Sequence, residues 1–256
     1  YHEYVSKNLE CFLSYEEGNY TKYAYVVFWS DLAYSYEQAG LYKESVQTFL
    51  KILEYSQKEY PEFLFKSIIN VGYAYNAPNT SEGRKMANVY FIKALDYLNE
   101  NSQVDNNIDN YLDMLIMVLC NCNLLNNYHQ TIEIANKYIK DWTYNDKDNI
   151  TDKLIEINNT RAQAYEKLDF YMPNSYEISG KIREEILEYY ETYGKTNTEQ
   201  YAMQLRYYAD NRQLKEAKLA ATYYKKAMDV WDSLPNKDNN IEYLVLAQRY
   251  IASLEQ

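Results

Sequence analysis

Apolar positions recur three and four residues apart along most of the chain, the one-face spacing of an amphipathic helix. From Trp29 the order is Trp29, Leu32, Ala33 and Tyr36, followed by Ser45, Phe49 and Ile52. The order returns as Ile68, Val71, Gly72 and Tyr75, then, after three extra residues, Ala87, Phe91 and Ala94. Phe49 and Phe91 are thus 42 residues apart. A third copy reads Leu115, Val118, Leu119 and Cys122, with Tyr128 and Ala135 beyond, and Tyr128 follows Tyr42 by 86 residues, twice 43. The stretch Ala164 to Tyr171 overlays Ser35 to Tyr42 at a shift of 129, with a five-residue insertion around Met172 to Tyr176. A fifth copy runs through Ala202, Leu205, Tyr208, Leu214, Ala217, Ala221 and Tyr224.

This spacing predicts an all-α protein of paired helices. Breaks are expected at Ala39-Gly40, at Pro61, at Ala77-Pro78-Asn79 and at Pro235, where Gly and Pro end helices. The small residues Ala33, Gly72 and Ala162 would let the two helices of a pair approach closely, and Tyr36, Tyr75, Tyr165 and Tyr208 fall at core positions. One helix pair cannot hide its apolar face alone, so stability must come from stacked neighbours. The expected organisation is a single array over 1–256. It comprises a half-repeat at 1–20, repeats at about 21–60, 61–104, 105–146, 147–193 and 194–236, and a terminal helix at 241–256. In that last helix Tyr243, Leu246, Ala247 and Tyr250 repeat the spacing of Trp29 to Tyr36. Half-repeats at both ends read either as solubilising caps, to which Glu10, Gln248, Arg249 and Gln256 are suited, or as a segment of a longer chain.

Composition narrows the function classes. Only six Gly and four Pro interrupt the chain, and 47% hydrophobic with 25% charged residues suits a packed protein. A net charge of −11 speaks against a nucleic-acid partner, which needs clustered Lys and Arg. It leaves open a preference for cationic peptides. No apolar run reaches the ~18 residues of a membrane span, and the first residues lack the basic start and apolar middle of a secretory signal. The chain starts at Tyr1 rather than Met, so removal of a preceding segment stays open. Cys11, Cys120 and Cys122 have no framework spacing, which fits a reducing, cytoplasmic setting. Cys120 and Cys122 point to separated helix faces, so a zinc site with His129 is not expected.

Catalytic motifs are not seen. His2 and His129 have no partner pattern, no glycine-rich phosphate loop or nucleophile elbow occurs, and Glu16-Glu17 and Glu184-Glu185 read as solvated faces. No enzyme activity, cofactor or metal is therefore expected.

The repeated order of a large residue, Leu, a small residue and Tyr, then Ala, Phe and Ala, resembles the tetratricopeptide repeat family. The likeness is close for the copies starting at Trp29 and Ile68 and looser for the third and fourth. The family's usual unit is about 34 residues. The unit here, near 42, resembles the longer kinesin-light-chain-like subgroup, as does the stretch Tyr193 to Ala217.

The resemblance implies a right-handed superhelical α-solenoid of antiparallel helix pairs, whose concave wall, lined by first helices, binds a protein or peptide. Its ligand-facing positions fall here on Ser30, Tyr34 and Glu37, then on Lys66, Ile69, Asn70, Tyr73 and Asn76. Further along they fall on Ile116, Cys120 and Asn123, on Glu156, Asn159, Gln163 and Glu166, and on Glu199, Ala202, Arg206 and Asp210. Tyrosines packing side chains and Asn or Gln amides reading a backbone would suit a peptide groove. The family's carboxylate clamp is not expected, because Ser30, Tyr34, Asp113 and Met117 stand at its places and only Asn70 matches. Three readings follow. They are a free-standing adaptor, a sensor or autoinhibitory module joined to a protease, kinase or DNA-binding effector, and a receptor for a small signal peptide.

Overall fold

The computed structural model describes residues 22–139, 149–169, 171–235 and 241–254. The half-repeat expected at 1–20, with His2, Glu10, Cys11 and Glu16-Glu17, lies outside these, as do 141–146 and Gln256. Among the described residues every regular element is a helix. In chain order they are α1 (Lys22–Gln38), α2 (Tyr42–Glu59), α3 (Leu64–Asn76), α4 (Ser81–Glu100), α5 (Ile108–Leu124) and α6 (Tyr128–Tyr138). After them come α7 (Asn149–Lys167), α8 (Ser175–Thr192), α9 (Glu199–Arg212), α10 (Ala217–Ser233) and α11 (Ile241–Leu254). Short 3-10 turns at Pro61–Phe63 and Asp105–Asn107 lead into α3 and α5.

The expected breaks fall between helices, and their chemistry is visible. After α1 the chain turns through Gly40 at φ 75°. There Leu41 N–H donates to the Tyr36 carbonyl at 2.8 Å and Gly40 N–H to Glu37 at 2.9 Å, a Schellman stop that satisfies two terminal carbonyls. The same pair of bonds closes α5 through Asn126 at φ 59° and α8 through Gly194 at φ 66°. Asparagine serves at the second because its short polar side chain tolerates the left-handed region. Thr80 and Thr198 cap α4 and α9, their hydroxyls accepting from Gly83 N–H and Tyr201 N–H.

The chain divides into two compact units between Asn121 and Cys122. In the first, α1 packs on α2, α2 on α3 and α3 on α4. Their apolar faces bury Leu32, Ala33, Phe49, Ile52, Ile68, Val71, Phe91 and Leu95. α3 and α4 approach closely at Gly72: a Cβ there would lie 2.6 Å from the Phe91 ring. Two expected core tyrosines, Tyr36 and Tyr75, are only half-buried. Tyr75 lies over Tyr90 instead, ring centroids 5.6 Å apart and nearly parallel.

In the second unit each helix from α6 to α11 packs on the next. Its core holds Ile155, Ala162, Tyr165, Ile186, Tyr190, Leu205, Tyr208, Tyr224, Trp231 and, from α11, Leu246. Tyr165 and Tyr208 are buried there, as their spacing predicts. Among the described residues no helix is long and apolar enough to cross a membrane.

Candidate functional site

In the first unit the ligand-facing positions divide by burial. Tyr34 on α1 and Tyr73 on α3 are 43% and 39% exposed. Each leans edge-on against the phenylalanine of the following helix, Tyr34 on Phe49 and Tyr73 on Phe91, both at 5.2 Å between ring centroids. The aromatic quadrupole favours this T-shaped contact, which holds each ring while leaving its outer face open. Lys66 is exposed, and Glu37, Asn76, Ile116 and Cys120 are half-buried.

Ser30, Ile69 and Asn70 are buried, at 8%, 3% and 2% exposure, although the resemblance implies a ligand face there. The reason for Asn70 is visible: its Oδ1 accepts from the Tyr34 hydroxyl at 3.3 Å, so its amide ties α3 to α1. Asn76 is likewise engaged, accepting from Asn121 Nδ2 at 3.1 Å, and that same amide donates to Asn88 at 3.0 Å. Burial pushes the Tyr34 hydroxyl above its ordinary pKa, with the charges of Glu37, Tyr73 and Asp31 adding to it.

The second unit gathers its candidates into a cavity of about 1060 Å³. Glu156, Asn159, Gln163 and Glu166 of α7 and Asp210 of α9, five of the ligand-facing positions that the resemblance implies, line it. Asn123 stands beside one of them, donating from Nδ2 to Gln163 Oε1 at 3.3 Å and to the Thr160 carbonyl at 3.2 Å. Arg206 does not line the cavity; it pairs with Glu242 of α11 and lies against the Tyr207 ring at 4.9 Å. Ala202 is buried in the core and Glu199 is exposed.

Spacing alone missed several walls. Arg183 of α8 is 5% exposed and clamps Glu166 with two bonds, Nε to Oε1 at 2.7 Å and Nη2 to Oε2 at 3.1 Å. Glu166 Oε1 also accepts from Ser179 at 2.8 Å and Asn211 at 3.3 Å, so the carboxylate is held from α8 and α9 together. Arg183 Nη1 donates to Asn159 Oδ1 at 3.3 Å, fixing that amide at the cavity edge. Asp210 accepts from Tyr224 at 2.7 Å and from Arg249 of α11 at 2.8 Å, yet burial outweighs both bonds and raises its pKa. A cation on a second helix, 17 residues from its carboxylate, gives no periodic signal. A buried Arg beside the small pair Ser179-Gly180 is the one hint available.

Glu184, read from the sequence as part of a solvated face, is exposed, and it also accepts from the Tyr208 hydroxyl at 2.6 Å and from Arg212 at 3.0 Å. Among the described residues no group of three His, Cys, Asp or Glu side chains could hold a metal ion.

Tyrosine ionisation follows from this packing. Burial first, then carboxylate neighbours, pushes Tyr190 and Tyr208 up to about 12, with Lys195 and Arg212 respectively opposing. Tyr201 and Tyr224 are raised by the same causes, through Glu191 and Asp210. An unfolded phenol ionises near pH ~10, so these groups support folding fully below that pH and withdraw support as pH climbs towards 12. We expect ultraviolet titration to show an early class of exposed tyrosines. A late class should ionise together with loss of helical circular dichroism. Complete ionisation before any loss of helix would contradict the packing.

No protein-family model matches this chain, and no curated protein matches it significantly.

Proposed function

We propose that this chain is a non-enzymatic binding module of the tetratricopeptide kind, taking a protein or peptide partner on the faces of its first helices. The observation that carries it is the cavity of the second unit. Five positions that the resemblance marks as ligand-facing, on two different helices, line one hollow of about 1060 Å³. Ligand sites are concave, with a few placed polar groups among apolar and aromatic walls. Here amides and ion pairs stand beside Ile155, Met203, Tyr190 and Tyr207. The exposed Tyr34 and Tyr73, held in matching geometry on α1 and α3, supply a second candidate face. Winding of successive helix pairs into a right-handed superhelical α-solenoid is part of this proposal. So is a cytoplasmic setting, which three cysteines without framework spacing support.

Affinity capture from the source cell tests the reading. Asn159→Ala with Gln163→Ala, and separately Tyr34→Ala with Tyr73→Ala, should each weaken partner retention about ten-fold or more, two lost polar contacts or two aromatic anchors amounting to ~1–3 kcal/mol. Helical circular dichroism should not change. Undiminished capture by both double variants would contradict the assignment.

A further inference from the structure

We propose that the cavity of the second unit takes a short, extended peptide of about six residues with no net charge, an inference that rests on the binding reading above and specifies its ligand. Charge balance is the first observation. The whole chain carries −11, so a random patch of its surface should be acidic. The cavity is not: four carboxylates face four cations around it. Glu166 with Arg183 and Asp210 with Arg249 are bonded directly. The others are Asp152 and Glu156 against Lys167 and Lys195. A strongly charged ligand of either sign would meet no excess of opposite charge, while it would lose its hydration on entry.

Backbone-reading chemistry is the second. Asn159, Gln163, Gln200 and Gln204 line the cavity, and each amide both donates and accepts, as a peptide backbone requires. Gln204 is 6% exposed and its Oε1 has no hydrogen-bond partner. A buried acceptor left unpaired is a standing demand for a donor. The terminal torsion of glutamine is soft, so a turn of this amide presents the oxygen to a ligand N–H. A helical ligand would satisfy its own backbone groups and leave these four amides unanswered. An extended strand has free N–H and C=O groups to offer them.

Length is the third. From Asp152 to Glu166, both on α7 and both lining the cavity, the helix advances roughly 21 Å at ~1.5 Å per residue. Extended chain covers ~3.3–3.6 Å per residue, which sets about six residues. Tyr190 of α8 and Tyr207 of α9, both lining the cavity, give apolar faces for alternate side chains.

The test uses the full chain and a pooled random hexapeptide library running from strongly acidic to strongly basic members. Peptides that co-elute with the protein on size exclusion are identified by mass spectrometry. Retained peptides should cluster at zero net charge and raise the melting temperature when added singly. Gln163→Ala should weaken them about ten-fold. Gln163 is exposed, so its loss leaves the fold intact. Gln163→Glu, which adds one negative charge to the wall, should shift the retained set towards cationic members.

Retention of none, a strongly charged retained set, or indifference to both Gln163 substitutions overturns the proposal. If the pool is not retained while a captured partner is still lost from the Asn159→Ala and Gln163→Ala double variant, this inference fails and the binding reading stands. Failure of both experiments removes both.

Discussion

Arg183→Ala should lower the stability of the second unit by about 3 kcal/mol. The guanidinium is almost wholly buried and supplies two of the four bonds on Glu166. Removing it leaves a carboxylate whose side chain is only 29% exposed, held by Ser179 and Asn211 alone. Breaking a fully buried pair costs ~3–5 kcal/mol, and the partial exposure of Glu166 places the expectation at the lower end. Glu166→Gln should cost less, because the amide oxygen still accepts from Arg183 and the cation keeps the Tyr207 ring at 5.3 Å. Arg183→Met with Glu166→Leu should recover much of the loss, since replacing both charges by apolar groups removes the unpaired ion. Urea unfolding followed by circular dichroism on the three variants checks this ordering. Equal losses for Arg183→Ala and the double substitution would mean that packing, not the charge pair, holds α8 to α7.

Phe91→Ala should cost the first unit about 3–5 kcal/mol, the range for emptying a fully buried aromatic site. The ring has no exposed surface, fills the space left by the missing side chain of Gly72 and carries the edge of Tyr73. Loss of that support should also free Tyr73, so the variant should weaken any binding on the first unit in step with its stability. The converse substitution, Gly72→Ala, adds a methyl 2.6 Å from the ring. It should cost about 1–3 kcal/mol by overpacking. Combining Gly72→Ala with Phe91→Leu should cost less than the two changes added together, because the smaller side chain yields the space the methyl needs. Thermal unfolding of the four proteins measures the coupling.

Helices and their breaks were legible because a buried stripe must recur with the helical period and because Gly40, Pro61 and Pro235 each have a backbone reason to interrupt it. The close approach at Gly72 was legible for the same reason: only a residue without Cβ fits against Phe91. Burial of polar residues was not. The resemblance puts Asn70 and Ser30 towards a ligand, but whether an amide faces solvent or crosses to a neighbouring helix depends on a partner such as Tyr34, 36 residues away.

The cavity was half legible. Its α7 wall was reached through the family resemblance, which marks Asn159 and Gln163 as ligand-facing. Arg183, Lys195 and Arg249 come from a second helix, a connection and the last helix, and only folding brings them together. The overall charge was misleading locally, since −11 for the chain says nothing about how Glu166 and Asp210 are paired. Pairing is set by three-dimensional neighbours rather than by composition.

On the proposed reading, a polypeptide is bound at the cavity formed by α7, α8 and α9. A photo-reactive benzoylphenylalanine placed at Gln163, with a second chain carrying it at the exposed Lys181 of α8, tests this in the source cell. A polypeptide adduct is expected from position 163 and none from 181. No polypeptide adduct from 163, or equal adducts from both positions, would contradict it.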